Sequence, residues 1–289
     1  MTASGESQIL DRGYRRFEGQ RSGVGGAVRS LSWHTARGVL GLGRKARYKI
    51  APAIIIAIAF LPAVIWAGLA AFLGGEFFAE FDVTPEYSEL AQQSIAAIVL
   101  FVTLVAPDAL VRDRRDGMLS LYLSTPLTRV TYLISKIFTV TGVLAIIVLI
   151  PTLIYLLALT FASFGPDGFG NWMLTLGRIV LSGVLASLVF ALISMACSSL
   201  TDRRAFASVA VFLVMFGLLT VVGVMIEVGD ASTNWRVLDP LNMPFELISR
   251  IFGARGEYPE ISTASVYLAN GGWASGSLGL IWWRLRGAS

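Results

Sequence analysis

Six stretches of this chain are candidates to cross a bilayer as helices, and they limit its fold more than any motif does. They run over Ile50–Leu73, Ile95–Val111, Ile137–Phe161, Ile179–Leu200, Ala205–Val228 and Val266–Trp283. Lipid offers no partner to a backbone N–H or C=O, so each stretch is expected to close its hydrogen bonds internally as an α-helix. The sixth differs in carrying Asn270 and several glycines. Within it Gly272 and Gly276 form a small-xxx-small pair, which lets helix backbones approach closely, either inside the bundle or between chains. Only 15% of the 289 residues are charged, against about 25% in a soluble domain. The single cysteine, Cys197, excludes a disulfide framework.

Lysine and arginine set the orientation. Nineteen of the 23 fall before the first stretch, between the second and third, between the fourth and fifth, or after the sixth. The other side holds Arg178, Arg236, Arg250 and Arg255, and its first loop is purely acidic, with Glu76, Glu80, Asp82, Glu86 and Glu89. This predicts both ends in the cytoplasm. The polar, basic first 49 residues lack the apolar core of a signal peptide, so the chain is expected to insert through its own spans. The net charge of +4 is gathered at one membrane face, which argues against nucleic acid as its partner.

Three regions follow. Residues 1–26 read as a basic cytoplasmic arm. Residues 27–49 read as an amphipathic interfacial helix: Val28, Leu31, Thr35, Val39 and Leu42 recur at helical spacing, with Arg29, His34 and Arg37 off that stripe. The alternative is a disordered basic tail. Residues 50–289 form the six-span domain. Its outer loop, 229–264, holds an expected cap at Asp239 for a helix beginning at Pro240, with Asn242 and Pro244 able to restart it. Phe245, Ile248, Ile251 and Phe252 make an apolar face there, with Glu246 and Arg250 at i,i+4 on another. Half-helices entering the outer leaflet and one interfacial helix both fit.

The segment 112–136 carries the functional reading. Arg112 to Asp116 are expected to be solvated, Asp116-Gly117 to turn, and Met118–Leu123 to form one short apolar helix. Ser124 or Thr125 then caps a helix with Pro126 at its first position, running on through Leu127, Val130, Leu133 and Ile134. Leaving Leu119, Leu121, Tyr122 and Leu123 in water forgoes about 1.5–3 kcal/mol each. Either they pack on the chain's own inner surface or they fill a groove on a partner.

The six spans, the surface helix and this inner segment together resemble the permease subunit of ABC type-2 transporters. In that family a charged cluster, a glycine, a leucine run and Ser-x-Pro follow the second span. Arg112-Asp113-Arg114-Arg115-Asp116-Gly117, Leu119 to Leu123 and Ser124-Thr125-Pro126 match that order. The turn Leu200 to Ala205 and the outer loop resemble the family's corresponding pieces, and Tyr14 to Arg21 resembles the basic arm of many actinobacterial members. Ser120 stands where many relatives have an acid. The resemblance implies a bacterial plasma-membrane exporter and a second permease, identical or paralogous. It also implies two separate ATPases that carry ATP and Mg, and a coupling surface of Asp113, Arg115, Asp116, Gly117, Met118, Leu119, Leu121, Tyr122, Leu123 and Pro126.

No Gly-Lys-Ser/Thr phosphate loop occurs in the sequence: Lys45, Lys49 and Lys136 follow Arg, Tyr and Ser. With one histidine, His34, and no nucleophile–base pair in the spans, a catalytic or metal site is not expected. Ionisable groups at mid-span, which an ion-driven carrier needs, are also missing. Arg178 and Glu227, near the outer boundary, read as snorkelling side chains or outer-gate contacts. A non-transporting membrane scaffold or sensor is the other reading of the whole chain.

Overall fold

The computed structural model describes residues 23–43, 45–81, 85–123 and 127–286, with the backbone alone for 73–81, 119, 120 and 123. The described residues are helical, with no strand among them. Helix α1 (Gly23–Val39) turns through Gly41 into α2 (Arg47–Phe81). Gly41 has φ +68°, and a Cβ there would run into the Tyr48 carbonyl, so the elbow requires glycine. After α3 (Tyr87–Gln93), the helix α4 (Ile95–Leu100) passes through a π-helical turn, Phe101–Val105, into α5 (Asp108–Arg115). The short α6 (Met118–Leu123) follows, then α7 (Arg129–Phe161) and α8 (Gly168–Ser199). Helix α9 (Arg204–Phe212) reaches α10 (Leu218–Glu227) through a second π turn, Leu213–Gly217. A 3-10 turn, Thr233–Leu238, leads to α11 (Met243–Phe252) and α12 (Thr263–Arg286).

Five helical runs are long and apolar enough to cross a membrane: Arg47–Phe72, Ile95–Arg115, Arg129–Phe161, Gly168–Ser199 and Arg204–Glu227. They correspond to the first five expected spans. Helix α12 covers the expected sixth and, at 24 residues, reaches about 36 Å, but it is not among the five. Asn270 and the glycines lower its hydropathy.

The bundle is built around α8. Its buried run Ala186 to Ser199 is rich in Ala and Ser, small enough for neighbouring backbones to come close. At Gly183 a Cβ would collide with the Leu149 side chain of α7. The first and fifth spans lie at the periphery: 22% and 17% of their most apolar windows are buried, against 72% for α8. Their apolar faces are left for lipid or another chain.

Two spans carry π turns, and the first has a visible cause. Pro107 has no N–H. In the register set by the Ala106 N–H to Phe101 C=O bond, the acceptor left without a donor is the Val102 carbonyl. Ser194 Oγ on α8 donates to it at 2.6 Å. This is how a membrane helix tolerates proline: a neighbour's hydroxyl satisfies the freed carbonyl.

One local expectation needs correction and two are narrowed. The helix that becomes the third span starts at Arg129, with Thr128 as its N-cap and its Oγ1 accepting from Thr131 N–H at 3.2 Å. Leu127 precedes it, and Ser124, Thr125 and Pro126 lie outside the described residues. Glu246 and Arg250 form the expected i,i+4 pair, at 3.3 Å, but both side chains are almost wholly withdrawn from solvent, because the chain 253–262 folds over them. Gly272 and Gly276 are exposed, and a Cβ on either meets nothing within 4 Å, so they do not pack within the chain.

Asp239 caps the turn 240–242 and not a helix beginning at Pro240, since α11 starts at Met243 with Asn242 as its N-cap. Its Oδ1 accepts from the N–H groups of Leu241 and Asn242 at 2.9 and 3.2 Å, and the turn 240–242 runs into α11. Asn270 of α12 donates to the Met243 carbonyl at 2.9 Å, tying the last helix to the start of α11.

Candidate functional site

The candidate site gathers at the end of the bundle where α1, α5, α6 and the start of α7 meet. Its centre is an ion pair. Lys136 Nζ lies 2.6 Å from Asp113 Oδ2, and both side chains are almost wholly withdrawn from solvent. Tyr132 donates its hydroxyl to the same oxygen at 3.0 Å, and Lys136 also donates to Thr35 Oγ1 of α1 at 3.0 Å. The Tyr122 ring of α6 stacks on Tyr132 with centroids 5.8 Å apart, and the ammonium lies 5.6–6.0 Å from both rings. One lysine thus holds four helices together. Burial, with the Asp113 charge second, raises the Tyr122 phenol above its ordinary pKa, while Arg112 opposes the shift.

Asp113 therefore departs from expectation: it faces inward rather than into solvent. A lone buried carboxylate would be costly, and Lys136 removes that cost by pairing with it. Around the pair, hydroxyls draw α1 onto α7. Ser32 and Ser135 hydroxyls are 2.8 Å apart, Ser135 Oγ donates to the Val28 carbonyl at 3.2 Å, and Thr139 Oγ1 donates to the Ser32 carbonyl at 3.3 Å. Leu31, Thr35 and Val39 of the predicted stripe are the buried face of α1.

The other cations of the segment hold the ends of other spans. Arg114 pairs with Asp202 at 3.2 Å and donates to the Ser199 carbonyl, which also accepts from Arg284 at 3.3 Å. Arg129 donates to the Leu285 carbonyl at 3.2 Å. Arg204, at the start of α9, pairs with Asp108 at 3.1 Å and donates to the Leu104 carbonyl at 2.6 Å. A single arginine of the fifth span thus grips the π-helical turn of the second. Asp108, the first residue of α5, thus has a specific partner across the bundle.

The remaining residues of the predicted surface divide. Arg115 and Asp116 are exposed and paired with each other at 3.1 Å, and Gly117 turns the chain at φ +63°. Leu121 is 56% exposed on α6, whereas Tyr122 is half-buried on Tyr132. Met118 is half-buried and borders a cavity of about 800 Å³ between α1 and α5. Leu119 and Leu123 lie on α6, and Pro126 is outside the described residues.

Arg178 and Glu227 are not brought together. Arg178 donates to the Phe252 carbonyl at 3.4 Å, and Glu227 pairs with Arg236 at 3.6 Å. Among the described residues no three His, Cys, Asp or Glu side chains gather around a common point suited to a metal ion.

Residues 87–281, about two-thirds of the chain, match the family described as ABC-2 family transporter protein. A comparison with curated proteins finds no match. The matched region includes the second span with its π turn, the buried Asp113–Lys136 pair and most of α12. With its apolar helices, the chain belongs to the ABC-2 transporter family, as a multi-pass, non-catalytic membrane permease component of an ABC transporter.

Proposed function

We propose that this chain forms the substrate path of an exporter and is driven through α6 by a separate cytoplasmic ATPase. The observation that carries the reading is the division of the inner segment into an anchored base and an exposed tip. Asp113 and Tyr122 lock the base to α1 and α7, while Leu121, Arg115 and Asp116 face outward. A partner gripping the tip would move a rigid unit, because every strong bond from the base leads to a span or to α1. Leu121 offers an apolar contact and the flanking charges a polar rim, the usual division of labour at an interface.

In this reading six helices cross the membrane, α12 being the sixth, with both ends in the cytoplasm. The cations at the α6 end against the acidic opposite loop support that orientation. Helix α1 lies in the membrane surface with Trp33, exposed, toward the headgroups. A second permease copy or paralogue packs against this one, and the open glycine face of α12 at Gly272 and Gly276 suits close backbone approach. ATP and Mg belong to the ATPase.

The test is co-purification. Leu121→Arg in the full chain is expected to abolish retention of the ATPase while leaving the permease folded in the membrane. Unchanged retention, or a native membrane preparation in which no ATPase accompanies the chain, rejects docking at α6 and favours a scaffold or sensor.

A further inference from the structure

A second basin lies beside the candidate coupling surface. Between the α1–α2 elbow, the end of α5 and the start of α9 is a cavity of about 570 Å³. Lys45, Arg47, Arg112, Arg115 and Arg204 border it, from three separate elements. Two carboxylates face it, Asp108 and Asp116, and both are engaged, by Arg204 at 3.1 Å and by Arg115 and Arg112 at 3.1 and 3.7 Å. Three positive charges are left over in one concave space.

The level of the basin is informative. Arg47 begins the first span, Arg115 ends the second and Arg204 begins the fifth, so the basin opens where three spans leave the hydrocarbon. Tyr48, 42% exposed, stands at the same level, as aromatic residues do at a membrane interface. Directly along the spans, Ile50, Ile54 and Leu104 are exposed apolar side chains. A cationic pocket continuous with apolar helix faces has the two chemistries of an anionic amphiphile.

We propose that this basin is a binding site for a phosphate headgroup carried on a lipid, seated between the α1–α2 elbow and the ends of the second and fifth spans. The phosphate would meet Lys45 and Arg47 on one side and Arg112, Arg115 and Arg204 on the other, with its acyl chains along α2 and the Phe101–Val105 turn of the second span. Such a lipid would brace the elbow against the cytoplasmic end of the second span, next to the buried Asp113–Lys136 pair. The inference requires membrane insertion alone, not an ATPase partner.

The full chain in nanodiscs of mixed phosphatidylcholine and phosphatidylglycerol provides the test, with retained lipid measured by native mass spectrometry. Wild type is expected to retain phosphatidylglycerol selectively. Lys45→Gln with Arg47→Gln, both outside the coupling surface, should reduce that retention about thirtyfold, given roughly 1 kcal/mol for each of the two cations at a membrane surface. Arg29→Gln with Arg255→Gln, which removes the same charge elsewhere, should not. If the first double variant aggregates, Lys45→Gln alone, at an exposed side chain, takes its place with a smaller loss expected. Equal retention of the two lipids by wild type, or undiminished retention by the variant, overturns the proposal. Binding of inorganic phosphate or glycerol 3-phosphate without lipid selectivity overturns the lipid source. A variant that keeps its lipid but loses a co-purifying protein overturns it in favour of a protein interface.

Discussion

Asp113 and Lys136 are 23 residues apart in sequence, sit on different helices and meet at 2.6 Å with almost no exposure to water. The pair joins the second span to the third just below the exposed tip of α6, so stiffness there is a condition for passing on any movement of that tip. Removing one member of a buried pair strands the other charge, at about 3–5 kcal/mol. Lys136→Met is therefore expected to lower the thermal unfolding midpoint markedly. The double variant Asp113→Asn with Lys136→Met should recover much of the loss, because neither charge is left. Equal damage from the double and single variants would show that packing, not charge pairing, holds this junction. A tip loosened at its base should also uncouple before it unbinds. Lys136→Met is expected to retain a docked ATPase while losing substrate-stimulated hydrolysis.

Ser194 and Pro107 make a second separable pair. Losing the Ser194 hydroxyl leaves the buried Val102 carbonyl without a donor, at about 1–3 kcal/mol. Ser194→Ala should therefore destabilise the bundle in a thermal melt. Adding Pro107→Ala returns an N–H to the second span and should restore most of the loss. If the double variant is no better than Ser194→Ala, the hydroxyl is not compensating for the proline.

The span positions were legible because a run of apolar residues needs no tertiary context. The buried pair falls outside the expected spans because the second stops before Arg112 and the third starts after Lys136. Carried through to Arg115, the second helix has a buried stripe of Phe101, Val102, Val105, Ala106, Ala109 and Asp113 at spacings of one, three or four. Begun at Arg129, the third has Tyr132, Leu133, Lys136, Thr139, Val140 and Val143 in the same rhythm. Both charges sit in register with the core, so the helical period held the signal and composition hid it. Glu246 and Arg250 were hidden differently: what buries them is the chain 253–262, and an i,i+4 charge pair reads the same whether or not a loop covers it. The short helix 118–123 and its glycine turn were readable from local chemistry, whereas the partners of Tyr122 and Arg204 required the assembled bundle.

The covered pair on α11 gives a test between two glycines. Gly253 and Gly256 both have positive φ, +85° and +65°. At Gly253 an added Cβ meets open space, so Gly253→Ala should cost only the left-handed backbone penalty, about 1–2 kcal/mol. At Gly256 it would overlap the Glu246 carboxylate, which accepts from Glu257 and Tyr258 N–H at 2.6 and 3.1 Å and pairs with Arg250. Gly256→Ala should therefore be clearly the more damaging in thermal unfolding and should raise proteolysis within 253–262. Equal costs would mean the carboxylate yields freely and the loop is not held by it.

Asp239 sets a pH dependence whose sign can be worked out. Burial raises its pKa above the ordinary 3.8, against the lowering effects of the Leu241 and Asn242 N–H groups, the Asn242 amide and Arg236. The folded state thus binds the proton more tightly than the unfolded chain does. The corresponding stabilisation is fully present below the unfolded pKa and is lost as pH rises through the folded one. Compared with Asp239→Asn, which cannot titrate, wild type should lose stability relative to the variant as pH increases from about 3.8 upward. The relative loss should level off once the aspartate is ionised. The readout is the difference between the two unfolding midpoints as a function of pH, which cancels the titrations the two proteins share, including that of nearby Tyr258, raised to about 12 by burial. A difference that stays flat, or that moves in wild type's favour as pH rises, would show that the donors around Asp239 outweigh its burial.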